Sequence, residues 1–343
     1  MDELREAVRE FAADHVAPLG EHPPADRFRA AFAAAARMGL TGVLIPQEYG
    51  GGGGSQLDNA VIAEELGAVD AGFAAALNLS ATVPGLLLAA GTAEQRERWL
   101  PAAARGLILA GAMNEPSVAG SELFNPEPGP ESGFRARAVR VGDGWRLDGA
   151  KAPWVTNAGV ADAYIVFART AWDRPGATST SAFWVPADAE GLTVGPRSDL
   201  LGLRGGRHAE VVLDGVRVPD DALIGPEDGA LPLLATSTPG MAVGLAAVFV
   251  GVARAALEQT LAFVRERRSW GRPLIDHQAV ALQVADMEIE VRQARLLVTD
   301  AAAVVDGARL RTRRSPCRRP RRGPSRRRSP TPHARSGCTE PPG

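Results

Sequence analysis

The chain has 343 residues, 45% of them hydrophobic and 23% charged, a globular composition long enough for two or three domains or one composite unit. Lys+Arg is 38 and Asp+Glu is 40, for a net charge of −2, which excludes a chain that is basic overall. The balance is uneven: residues 309–343 hold 12 of the basic residues and one acid, Glu340, so this segment carries +11 and residues 1–308 carry −13.

The N-terminus, MDELREAVREF, is charged and amphipathic and lacks the apolar core of a signal peptide. Residues 1–110 read as helical, with Leu4, Val8 and Phe11 at helical spacing. Thr92 and Gln95 predict a capping box that opens the helix containing Trp99 and Leu100. The Gly50–Gly54 run reads as a loop, and no Lys-Ser/Thr follows to make it a phosphate cradle.

Residues 111–228 change period. Phe134–Val141, a type I′ turn at Asp143-Gly144 and Trp145–Asp148 predict a hairpin. Ala163–Arg169, Ser181–Val185, Gly191–Val194 and Glu210–Leu213 are further strand candidates.

The helical period returns from Pro232. Ala242–Arg268 reads as one long helix, and Asp276 can cap the next. There Val280, Val284, Met287, Val291, Ala294 and Val298 form a bundle-type stripe, in a helix running to about Val305. The most apolar stretch, Ala242–Ala253, is shorter than the roughly 20 residues of a membrane span. The expectation is a soluble, cytoplasmic chain with no membrane partner.

Residues 309–343 contain 12 Arg, 7 Pro and 4 Ser without periodicity, a composition that cannot offset its chain entropy. One reading is a basic arm that binds nucleic acid. The favoured reading is an out-of-frame extension, since a shifted frame in GC-rich coding sequence yields these residue types, and no nucleic-acid partner is expected. The fold class is therefore α+β. It comprises an N-terminal α-helical domain (1–110), a small antiparallel middle β-domain (111–228), an incomplete C-terminal helical bundle with two of about four helices (229–308), and a disordered Arg/Pro-rich tail (309–343).

Chemistry-bearing residues are few. Both cysteines, Cys317 and Cys338, lie in the tail, so the body has no disulfide or thiol nucleophile. His15, His22, His208, His277 and His333 show no metal-ligand spacing, and His277 reads as structural. Five segments carry a resemblance: GLTGVLIPQEYGG (Gly39–Gly51), AMNEPSVAGS (Ala112–Ser121), KAPWVTNAG (Lys151–Gly159), LGLRGGRHAEVVLDGVRVP (Leu201–Pro219) and RERRSWGRPLIDHQAVALQVADM (Arg265–Met287). No one of them identifies a family. All five, in order and at family spacing over about residues 1–307, resemble the acyl-CoA dehydrogenase family of flavoproteins.

The resemblance implies FAD as cofactor and α,β-dehydrogenation of an acyl thioester, on CoA or on acyl carrier protein. It implies electron-transferring flavoprotein as electron acceptor and a homodimer or homotetramer. Trp154 would wall the flavin ring. Thr156, on the same strand face, would offer its hydroxyl to the flavin N5–C4a edge, with Val155 between them. Met113 and Asn114 would meet the polar rim. Ser121 would lie near the pyrophosphate or the substrate's phosphopantetheine arm. Arg267, with Trp270 in place of the usual Phe, would pair with the pyrophosphate of a neighbouring subunit, and Gln278 would contact the adenine side.

In this chemistry a carboxylate takes the α-proton while the β-hydride passes to the flavin. The family's usual late Glu has no counterpart here, so the catalytic base is unknown. The early alternative position is Met241, and the neighbouring family Arg is replaced by Ala242. Glu258, Asp286 and Glu290 read as solvated. Other departures are Asn114 for Thr, an extra residue in Ser117–Gly120, and Pro153 inserted before Trp154. Competing readings are a flavin-binding pseudoenzyme or scaffold, an acyl-CoA oxidase, and a flavin monooxygenase. With part of the bundle missing, the Val280–Val298 stripe is expected to lack cover, at about 1.5–3 kcal/mol per wet side chain, giving poor solubility or weak flavin retention.

Overall fold

The structure is a computed structural model that describes residues 1–119, 125, 129 and 132–307. Ser121 and the tail beyond Gly307 lie outside the described residues. The N-terminal part is helical: α1 (Asp2–Phe11), α2 (Ala25–Arg37), α3 (Gln56–Gly67), α4 (Ala71–Thr82), α5 (Pro84–Ala90) and α6 (Ala93–Ala104). Val8 and Phe11 are buried on α1, with Leu4 packed beside them. The Thr92–Gln95 capping box forms as expected, and its Gln95 side chain also donates to the carbonyls of Asp221 and Leu223. α4 is buried on nearly every side, and most of its residues are apolar.

The middle part is a sheet of eight described strands. These are β1 (Leu109–Ala112), β2 (Arg137–Val141), β3 (Gly144–Thr156), β4 (Ala163–Arg169), β5 (Thr180–Pro186), β6 (Leu192–Arg197), β7 (His208–Pro219) and β8 (Leu223–Ile224). The order is β6-β7-β3-β2-β4-β5-β8, with β1 added beside β4. Most pairings are antiparallel, as expected, but β1 runs parallel to β4, and so does β2 at the single pair Arg137–Arg169.

Two local expectations are corrected. The hairpin loop is Gly142-Asp143, one residue earlier than predicted, with Gly144 already paired to Val141. Only Gly142 has positive φ there, the pattern of a type II′ turn rather than I′. β3 runs eight residues past Asp148, because Gly149 and Pro153 mark irregularities in the ladder with β7 rather than its end. Between Lys151 and Val155 the bulged strand sets Ala152, Pro153 and Trp154 opposite Glu210 alone. Pro153 needs no ladder donor there, and its carbonyl accepts a hydrogen bond from Ser198.

The C-terminal part is α7 (Ala230–Glu266), a short hairpin of β9 (Arg268–Ser269) and β10 (Arg272–Pro273), and α8 (Gln278–Val305). α7 starts twelve residues before the predicted Ala242 and continues through Pro239. Burial of Leu233 and Leu234 against the sheet side outweighs the backbone bond that Pro239 removes. Asp276 does not cap α8; the N-cap is His277, without a side-chain cap bond. His277 instead bridges the hairpin, its ring nitrogens 3.1 Å from the Ser269 carbonyl and 3.3 Å from Arg272.

The Val280–Val298 stripe has more cover than expected. Val284 and Val291 are buried, and Val280 and Met287 pack with them against Leu257, Leu261 and Val264 of α7. The wet apolar surface lies elsewhere, at Phe249 and Phe263 of α7 and Leu282, Ile289, Leu296 and Leu297 of α8. Ala71–Ala90 and Ala230–Glu266 are long and apolar enough to cross a membrane by length and composition, longer than the dozen residues noted in the sequence. The most apolar window of the first is 72% buried inside the protein and that of the second 44%.

A buried charge cluster locks these parts together. Glu65 of α3 receives Arg5 at 2.5 Å, Arg9 at 2.9 Å and Arg254 at 2.6 Å, and Glu64 receives Arg295 at 2.8 Å. One pair of adjacent glutamates thus ties α1, α7 and α8 to α3.

Candidate functional site

A cavity of about 400 Å³ opens between α4, α7 and the sheet. Ala75, Asn78, Leu79 and Thr82 line it from α4, at the i, i+3, i+4, i+7 positions that share a helix face. Ser237, Thr238, Met241, Ala242 and Leu245 face them from α7, and Ile165 and Phe167 of β4 form the floor. Trp154 and Thr156 of β3 stand at the other wall with Met113 and Asn114. Four of the expected cofactor residues therefore meet in one place.

The bulge in β3 explains the geometry of that wall. It turns Trp154 out of the sheet, leaving the indole 47% exposed at the cavity. Val155 points the opposite way, into the sheet interior beside Val211 and Ala209, so its side chain does not reach the cavity. Just beyond, Asn157 holds the left-handed φ of 68°. Its amide donates to the carbonyls of Ala76 (3.0 Å) and Leu109 (2.9 Å), tying the strand end to α4 and β1. Among the described residues the Thr156 hydroxyl makes no hydrogen bond to protein. His208 pairs with Thr156 across the ladder, and burial, with Arg197 nearby, holds its imidazole below the usual range.

Behind the wall lies a buried ion pair. The Nζ of Lys151, the one lysine in the chain, donates to Glu115 (2.8 Å) and to the carbonyls of Phe167 (2.6 Å) and Met113 (3.3 Å). Both residues are fully enclosed. Burial pushes the Lys151 ammonium down from its ordinary pKa, against the pull of Glu115.

Arg267, Trp270 and Gln278 do not line this cavity. All three are exposed, Trp270 at 94%, at the hairpin end of α7 and α8. The axis from Met241 to the end of α7 is about 37 Å at 1.5 Å per residue. Ser121 lies outside the described residues. Glu258, Asp286 and Glu290 are exposed and none lines the cavity. Among the described lining residues there is no acidic, basic or histidine side chain. The early alternative base position, Met241, does lie in the wall.

Sequence reasoning missed the α4 face, because a helix buried on nearly every side has no stripe to mark which side meets a ligand. It also missed the ion pair, although a solitary lysine beside an apolar strand was a usable signal.

The chemistry of this donor set suits a neutral, flat aromatic ring. It offers one aromatic wall, the uncommitted hydroxyls of Thr156 and, across the cavity, Thr238, apolar cover and no fixed charge. An isoalloxazine fits those terms. The cations for a pyrophosphate are not in this wall.

Comparison with known proteins gives the family setting. Three domain profiles match in chain order: acyl-CoA dehydrogenase N-terminal domain over residues 1–107, middle domain over 110–216, and C-terminal domain over 234–316. A probable acyl-CoA dehydrogenase of Bacillus subtilis is 36% identical over 311 residues, covering 88% of this chain and 78% of its own length. A probable acyl-CoA dehydrogenase of Mycobacterium tuberculosis is 38% identical over 308 residues, covering 88% and 76%. Among solved structures, butyryl-CoA dehydrogenase from Megasphaera elsdenii superposes with a TM-score of 0.81 at 26% identity, over 89% of this chain and 79% of that one.

Proposed function

The chain belongs to the acyl-CoA dehydrogenase family, and from that premise we propose that the cavity beside Trp154 seats the flavin ring with an acyl thioester laid against it. The family activity is FAD-dependent α,β-dehydrogenation of acyl-CoA. The observation that carries the site assignment is the half-exposed Trp154 and the uncommitted Thr156 hydroxyl on one wall of a charge-free cavity.

When bound, FAD supplies the acceptor for the hydride removed from the β-carbon. The chain's own residues do the rest. Trp154 covers the ring and keeps water from it. The Thr156 hydroxyl donates to the ring's reactive edge, and the backbone around Met113 and Asn114 meets its polar rim. Leu79, Val83, Leu86 and Leu234 give an apolar bed for the acyl chain, each enclosed methylene adding about 0.8 kcal/mol. Asn78 and Thr82 bring the few polar atoms near it. Arg267, Trp270 and Gln278, too distant to serve this cavity, would serve a neighbouring copy, which makes the working form an oligomer. Ser121 is assigned to the pyrophosphate or the pantetheine arm, electron-transferring flavoprotein is the acceptor this reading implies, and the compartment is the cytoplasm.

A second reading has its own observation. With Met241 where a carboxylate could stand, the described wall offers nothing to take the α-proton. The chain would then bind flavin and thioester without turnover.

Purified protein supplied with FAD should retain a flavin spectrum, and acyl-CoA should bleach it anaerobically. A retained spectrum with no bleaching favours the second reading. No retention of flavin from excess FAD refutes both.

A further inference from the structure

We propose that the buried Lys151–Glu115 pair is the positioning device of the flavin site, presetting the wall that carries Met113, Asn114, Trp154 and Thr156 before any ligand arrives. The inference rests on the flavin reading of the cavity.

The geometry is convergent. Lys151 has three donors and spends them on three acceptors: the Glu115 carboxylate, the Phe167 carbonyl and the Met113 carbonyl. The ammonium also sits 4.6 Å from the ring centroid of Phe134. Glu115 uses its remaining capacity on the backbone N–H groups of Arg135 (2.6 Å) and Ala136 (3.0 Å). Ala152, next to Lys151, donates its N–H to the Asn114 carbonyl at 2.9 Å. The pair therefore fixes three pieces of the cavity to one another: the Met113–Glu115 segment after β1, Phe167 on β4, and β3 at the base of the bulge that carries Trp154.

The position in β3 matters. The ladder with β7 is irregular from Ala152 to Trp154, so strand pairing alone does not set how far Trp154 projects. Lys151, with its Cα partner Val211, is the last regular residue before that gap. An anchor there decides where the next residues start. An enclosed ion pair stabilises little in net terms, and the three bonds of this one converge on the base of the bulge.

The test uses the full chain and FAD, with Lys151→Met and the double variant Glu115→Gln/Lys151→Met. In the single variant Glu115 is stranded, so both apo melting temperature and flavin affinity should fall. In the double variant no charge is stranded and the single Gln oxygen keeps one of the two backbone bonds, from Arg135 or Ala136, so apo melting should recover part of its loss. Flavin affinity should stay weaker than wild type by about tenfold, the scale of one lost hydrogen bond to the ring, with an altered fine structure in the bound flavin's absorption. If the double variant regains both, the pair is structural only and the inference fails. If the variants do not fold, the wild type carries the test. Its one lysine makes amine acylation specific to Lys151 and the N-terminus, and FAD should slow the first about tenfold or more while sparing the second. Equal rates overturn the inference. A wild-type chain that takes up no FAD overturns the flavin reading and this inference together, whereas flavin bound equally well by wild type and double variant overturns this inference alone.

Discussion

Gly244 sits where α7 crosses α4, and Gly244→Ala should be destabilising although alanine is the better helix former. A Cβ at this position would stand 1.9 Å from the Asn78 Oδ1 and 2.8 Å from the Asn59 Nδ2. Asn78 must then swing away, giving up its bond from Asn59 (2.9 Å) and its bond to the Met241 carbonyl (3.2 Å). Each such bond is worth about 1 kcal/mol, and forcing a methyl into a filled interior costs about 1–3 kcal/mol. The helix-propensity gain is about 1 kcal/mol. Set against each other, these leave a loss of about 2–4 kcal/mol. Gly85 in α5 is the internal control: a Cβ there meets nothing within 4 Å, so Gly85→Ala should gain about 0.5–1 kcal/mol. Urea unfolding followed by circular dichroism measures both. A Gly244→Ala protein as stable as wild type, or two variants shifted alike, would refute the packing argument. Because Asn78 and Met241 also line the cavity, the Gly244 variant should bind FAD more weakly as well.

Two further outcomes follow from other parts of the structure. Met241→Glu puts a carboxylate into an apolar wall, where burial should raise its pKa; acyl-CoA bleaching of the flavin should appear or quicken, with a rate that rises with pH, and a variant that binds flavin yet bleaches no faster than wild type shows that this position does not face the α-carbon. Burial pushes the Glu65 carboxyl up, but the hydrogen bond from Arg9, with Arg254 and Arg5, outweighs it and holds the group below its ordinary value. Its contribution is thus present above about pH 4.5 and lost as pH falls through the lower folded value. Glu65→Gln should cost about 1.5–3 kcal/mol at neutral pH by removing the carboxylate from three part-exposed arginines and should flatten the acid limb of stability against pH; an unchanged limb would place acid sensitivity elsewhere.

How much of this was legible depended on where the deciding forces lie. β4 matches its predicted bounds because Ala163–Arg169 is a continuous buried run between breakers. α6 starts where Thr92 and Gln95 say, because a capping box is local. β3 was ended at Asp148, whereas the sheet carries it to Thr156 by absorbing Gly149 and Pro153 in irregular pairing. α7 was started at Ala242 although the helical period was seen from Pro232, since what carries the helix through Pro239 is contact with residues far away in the chain. In the site, Trp154, Thr156, Met113 and Asn114 were found by motif and meet in space. Val155 was carried along by adjacency, and strand alternation turns its side chain into the sheet. The α4 lining and the Lys151–Glu115 pair needed tertiary structure, because their partners come from other elements.

α7 passes through two mechanical regimes. Its first half is wedged between α3, α4 and the sheet, with Val243, Ala247 and Val248 enclosed; its second half shares with α8 a cluster of only four buried side chains, Leu257, Val264, Val284 and Val291. One continuous helix therefore spans a steep gradient of opening free energy. Backbone amides near Leu261 should exchange with solvent long before those near Ala247, and the arm can fray and re-form while the cavity keeps its shape.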